Sequence, residues 1–212
     1  MRMLDVGVGG GRTTLHFAPA AQAYVGVDYI PAMIDACRAR FAGKPYTFDA
    51  CDARDLSAFE DASFDFVLFS HCGIDYVDHD ARATVFSELR RVLVPEGLLC
   101  FATHNLARAN ELFVPGSRLK RLMRWNSLRR LRRENPNWNA LGSKQHAEIN
   151  DGAFNFSLRT YHVRPSHQVH ELERLGFGQV RPLRHATGAD LDRASIDDCA
   201  DPWLYFTARR HA

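Results

Sequence analysis

Short apolar runs alternate along the chain with stretches of helical spacing. MLDV (3–6), AYVGVD (23–28), residues 45–48, SFDFVLFS (63–70) and GLLCFAT (97–103) read as strands. Between them, residues 12–18, 30–41 and 79–93 read as helices. Pro31 suits a first helical turn, and Val85, Leu89, Val92 and Leu93 share one face of the third helix. Near-continuous apolar runs such as VLF and LLCFA suit strands covered on both faces. The alternation predicts an α/β fold, doubly wound around a mostly parallel sheet.

The alternation stops near residue 105, and no strand is predicted between 106 and 160. It resumes with a helix over 166–175 and strands over 178–184 and 203–209, for seven strands in all. A long stretch without strands inside an α/β domain is usually functional. The reading is therefore one domain made of 1–105 and 161–212, with 106–160 as a helical, basic insertion that shapes a substrate pocket.

The chain has 212 residues, 46% apolar, enough for one domain with a full core. A net charge of +2 names no partner. The five cysteines, an odd number with no C-x-x-C pair, read as reduced thiols packed as small hydrophobes. That usage points to a cytoplasmic protein. No histidine and cysteine spacing suggests a metal site, no apolar run is long enough to span a membrane, and the start lacks signal-peptide architecture.

The first strand runs into Asp5-Val-Gly7-Val-Gly9-Gly-Gly11. Glycines there let a ligand approach the backbone, and the following helix start offers free N–H groups. The dinucleotide pattern G-x-G-x-x-G fails, because Arg12 stands where its last glycine belongs when it starts at Gly7. Asp28, at the end of the second strand, is placed to accept both hydroxyls of a ribose. By itself it selects a nucleoside and not which one.

D-x-G-x-G-x-G resembles the first motif of the class I S-adenosylmethionine-dependent methyltransferases. CDARDL after the third strand, SFDFVLFS, RRVLVPEGLLCFATHN (90–105) and LERLGFGQV (172–180) resemble further landmarks of that family, in its order. Glu96 replaces the first glycine of the family's R-V-L-x-P-G-G turn. The resemblance implies a Rossmann-like methyltransferase fold and S-adenosylmethionine as cofactor, with S-adenosylhomocysteine as product. It implies that Gly7, Gly9 and Gly11 line the methionine portion, with Asp5 orienting their turn. Asp28 would hold the ribose, Tyr29 and Met33 would flank ribose or adenine, and Asp52 and Ala53 would read the adenine edge. Ser70 and His71 would face the methionine end. For Met33 a core position, and for Asp52 a capping role, stay open.

His71 and His104, at the ends of strands, are the candidate proton acceptors. Asp75, Tyr76, Arg159, Tyr161 and His162 are candidate substrate contacts. The fourth strand ends in SHCG, unlike the N/D-P-P-Y/F/W of base-amine methyltransferases, and no Pro-Cys pair stands nearby. The expected acceptor is an oxygen or nitrogen of a small molecule, an acidic one included.

SRLKRLMRWNSLRRLRR (117–133) carries eight basic residues and no acid. Its apolar stripe breaks near Asn126, which predicts two short amphipathic helices with Ser127 capping the second. A lid over the site is the favoured reading. RNA binding, with Trp125 stacking, comes second; an anionic membrane surface and a non-catalytic binding module remain as alternatives. The family's usual helices ahead of the first strand do not precede this glycine turn. That predicts weak cofactor affinity, or a pocket completed by another protomer, leaving monomer and homodimer both open.

Overall fold

The computed structural model describes residues 1–109 and 129–211. Nine strands form one sheet: β1 (Arg2–Val6), β2 (Ala23–Asp28), β3 (Tyr46–Ala50), β4 (Phe64–Phe69), β5 (Leu93–Asn105), β6 (His146–Ile149), β7 (Thr160–Val163), β8 (Phe177–Arg184) and β9 (Trp203–Arg210). The order β3-β2-β1-β4-β5 is parallel throughout. β9 then pairs antiparallel with β5, and β8 with β9. The chain reverses its direction of winding between β1 and β4. In open α/β sheets that reversal leaves a crevice beyond the strand ends.

Strand alternation sends side chains into two cores. On β4, Val67 and Phe69 join the larger core, while Phe66 and Leu68 face the smaller one. The larger core is closed by α3 (His79–Val92), through Val85, Phe86 and Leu89, and by Val169 and Leu172 of α4 (Pro165–Arg174). α1 (Thr14–Phe17) and α2 (Pro31–Arg40) cover the other face, where Ile34 and Cys37 pack against Phe48. The Asp78 side chain caps α3 by accepting from the Ala81 amide.

The seven expected strands are present, and the sheet has two more. β6 and β7 correct the expectation that 106–160 holds no strand up to its end. The antiparallel β6–β7 hairpin joins the sheet through His104 and Asn105 of β5, which lie beyond the last β4 pairing at Phe101. HAEI and TYHV are four residues each, too short to show a period. β5 is also longer than expected and includes the V-P-E-G step, where Glu96 adopts φ +61°.

Residues 129–134 are helical, with Leu131 buried. The rest of the basic stretch, including Trp125, the break at Asn126 and the Ser127 cap, lies outside the described residues. All five cysteines are free thiols. Among the described residues no helix is long and apolar enough to cross a membrane.

Candidate functional site

The ends of β1, β2, β3 and β4 enclose a cleft of about 570 Å³. Of the residues expected to hold a cofactor, Gly7, Gly9, Asp28, Tyr29, Met33, Asp52, Ala53 and Ser70 line it, as do His71 and Tyr76. A volume of this size suits a nucleoside-sized ligand.

The glycine turn meets the cleft at Gly9, whose φ is +52° and whose Cα has nothing within 4 Å of an added Cβ. The Gly9 amide donates to Asp28 Oδ2 at 2.9 Å, and the Ile30 amide donates to Asp28 Oδ1 at 3.0 Å. The carboxylate therefore ties the turn after β1 to the turn after β2. It also keeps unused lone pairs, since an ionised carboxylate has about four acceptor sites. Gly11 does a different job. A Cβ there would lie 2.5 Å from Phe41 Cε2, so the turn packs down on the end of α2.

Asp5 and Gly11 are behind the turn and not in the cleft. Asp5 is fully buried and accepts from the Thr13 hydroxyl and from Tyr24 Oη at 2.6 Å, while its Oδ1 has no partner. Burial pushes its carboxyl up to about 6 against the pull of the two hydroxyls. It holds the turn from inside.

Asp52 is gripped by Arg54, with Nη2 at 2.5 Å from Oδ2 and the Arg54 amide at 2.9 Å from Oδ1. The Arg54 side chain holds this carboxyl below its usual range. The capping role considered for Asp52 is thus a tight turn and not a helix start.

After β4 the backbone turns sharply through His71 and Cys72, at φ +52° and +55°. Two successive non-glycine residues in the left-handed region are uncommon, and such turns concentrate at functional sites. The turn sets the His71 ring at the cleft, with Nε2 3.4 Å from Arg12 Nη1. Burial first, and the Arg12 charge second, lower the His71 pKa, so the ring is neutral at ordinary pH.

Five other expected residues lie elsewhere. Asp75 is buried in a network beside the cleft. Its Oδ1 accepts from Arg82 Nη1 (3.2 Å) and Thr103 Oγ1 (2.6 Å), and its Oδ2 from the His104 amide (2.8 Å) and lies 2.7 Å from His104 Nδ1. Burial lowers the His104 pKa, but the bond to Asp75 and its charge outweigh that and raise it overall. His104 does not line the cleft. Tyr161 is buried with its ring 4.1 Å from the Arg82 guanidinium carbon, and its hydroxyl is 3.1 Å from His79 Nδ1. His162 is buried and stacks on His104 with centroids 4.8 Å apart. Arg159 donates to the Glu148 carbonyl and lines a separate hollow of about 110 Å³. Cys72, Asp75 and His104 offer ligand atoms within 4.8 Å of one another, but both Asp75 oxygens are already engaged by hydrogen-bond donors.

The residues missed from sequence are Arg12, Arg54, Leu158 and Arg82. Arg82 left a signal: it shares the helical face of Val85, Phe86 and Leu89, where a charge is out of place unless paired. Nothing comparable marks Arg12.

Residues 3–97 match the family described as "Methyltransferase domain". "Putative methyltransferase YqeM" of Bacillus subtilis (strain 168) is 29% identical over 115 residues, 53% of this chain and 46% of that protein. The chain thus spans about half the length of the curated relative it matches. A SAM-dependent methyltransferase structure from Methanosarcina mazei aligns with a TM-score of 0.65 at 19% identity, over 99% of this chain and 92% of the other. The 1,6-didemethyltoxoflavin-N1-methyltransferase of Burkholderia thailandensis, solved with bound 1,6-didemethyltoxoflavin and S-adenosylhomocysteine, aligns with a TM-score of 0.61 at 18% identity, over 100% of this chain and 71% of the other. At such identities these two structures show a shared fold.

Proposed function

We propose that the chain belongs to the class I S-adenosylmethionine-dependent methyltransferase family, a reading supported by the match of residues 3–97 to a methyltransferase domain, and that it transfers a methyl group to an oxygen or nitrogen of a small molecule. The observation that carries this reading is the meeting of Gly9, Asp28 and Ala53 around one cleft. S-adenosylmethionine, when bound, supplies a methyl group activated on a sulfonium.

The residues present fit that group. The open side of Gly9 admits a ligand against the backbone, where a β-carbon would intrude. The spare lone pairs of Asp28 would accept the two ribose hydroxyls, and its bonds to Gly9 and Ile30 fix its rotamer. Met33 and Ala53, which line the cleft, would flank the adenine. Ser70 and His71 mark the end at which the acceptor enters. The His71 ring, held neutral, takes the proton that the acceptor nitrogen or oxygen sheds as it is alkylated. Placement of the acceptor in line with the donor carries most of the rate.

Calorimetric titration with S-adenosylhomocysteine tests the reading. One site per chain is expected, weakened at least about tenfold in Asp28→Ala, equivalent to about 1.4 kcal/mol. No binding by the parent protein, or equal binding by the variant, would refute it.

A further inference from the structure

The guanidinium of Arg12 has no carboxylate partner among the described residues; its one contact is the His71 ring. Its place is nonetheless fixed. Gly11 before it donates its amide to the Val8 carbonyl at 3.0 Å, and Thr13 after it is bonded to buried Asp5. The exposed side chain does not itself line the cleft; it reaches from the turn after β1 to His71, which does.

None of the carboxylates at or beside the cleft pairs with Arg12 among the described residues. Asp28 holds two amides, Asp52 holds Arg54, Asp75 holds Arg82, and Asp78 caps α3. Arg54, which lines the cleft, is therefore neutralised, whereas Arg12, beside the cleft, has no carboxylate partner among the described residues. A contact of 3.4 Å to an imidazole nitrogen is weak, and exchanging it for a carboxylate gains a charge-assisted pair. The lining of the cleft includes Phe69, Tyr76 and Leu158, of which Tyr76 and Leu158 remain 45% and 41% exposed.

We propose that Arg12 is the anion-binding group of the acceptor pocket, so that the acceptor is a small molecule with an apolar body and a carboxylate. This rests on the reading that the cleft takes S-adenosylmethionine. A sulfonium beside an uncompensated guanidinium is unfavourable, and a negative acceptor offsets both charges. The planar fork of arginine pairs with both carboxylate oxygens, leaving His71 free to face the reacting atom.

The test uses benzoate, with benzamide as its neutral counterpart. Each is titrated into the full chain, with and without S-adenosylhomocysteine, while the His71 ring resonances are followed by NMR. Benzoate is expected to saturate and shift the His71 signals, with benzamide at least about tenfold weaker. Arg12→Gln is expected to remove that preference while keeping S-adenosylhomocysteine affinity within about twofold. Arg12→Lys should restore part of it. Equal binding of benzoate and benzamide, or unchanged benzoate affinity in Arg12→Gln, overturns the proposal. So does an Arg12→Gln variant that loses affinity for S-adenosylhomocysteine, which would give the guanidinium to the cofactor's own carboxylate. If the parent chain fails to bind S-adenosylhomocysteine, the methyltransferase reading falls, and the titrations of the unloaded protein still decide the anion site.

Discussion

Asp5 keeps one oxygen without a partner in the floor of the glycine turn. Its carboxyl is raised to about 6, so between its ordinary value and that point the folded protein binds more protons than the unfolded chain. Stability therefore falls as pH rises through that window, and above about 6 the ionised group costs roughly 3 kcal/mol. Asp5→Asn offers an amide oxygen to the same two hydroxyls without the charge. Urea unfolding at pH 5 and pH 7 should show the parent losing more stability between the two than the variant does. An equal loss would mean that Asp5 is not buried as a charge. Gly11 gives a second check. Its φ of +76° and the 2.5 Å approach to Phe41 make Gly11→Ala destabilising by roughly 1–3 kcal/mol in the same assay. Both residues were legible as part of a motif, and the resemblance gave Asp5 its place under the turn, but the inward packing of Gly11 was not legible. Spacing marks a turn, and only burial distinguishes the face that packs from the face that meets a ligand.

At the scale of elements, the last residues of β5 and the start of α3 are joined by one buried pair. Arg82 reaches Asp75, Gln168 and the Ile74 carbonyl, and Tyr161 of β7 covers its guanidinium. Removing one partner of a buried pair strands the other, at roughly 3–5 kcal/mol. Arg82→Met is expected to lower stability by about that much, read by chemical denaturation. A loss under about 1 kcal/mol would show that Thr103 and His104 suffice to hold Asp75. The network also explains why sequence reasoning misplaced Asp75, Tyr161 and His162. Polar residues near strand ends look like pocket residues until buried partners are found to claim them, Arg82 for Asp75 and Tyr161, and Thr160 and His104 for His162. The hairpin escaped for another reason: in HAEI a histidine and a glutamate alternate with an alanine and an isoleucine, and over four residues that pattern also suits a loop.

The molecule as a whole was legible where long-range order follows from local rules. Parallel strands buried on both faces favour continuous apolar runs, and the FVLF of β4 and the LLCFA of β5 supply them. The winding order then places the crevice, and the glycine turn and Asp28 fall on it. The convergence of side chains from β4 and from the segment ahead of β7 was not legible, because it depends on the β6–β7 hairpin. Arg12 meets His71 across 59 positions of sequence, a pairing that no period encodes.

Intermolecular NOEs from S-adenosylmethionine, labelled with carbon-13 at its donor methyl, test the shared cleft most directly. Adenine protons are expected to show contacts with Ala53 and Met33, and the donor methyl with the His71 ring, in one saturable complex. Contacts confined to other residues, or adenine and methyl signals reporting two separate places, would contradict it.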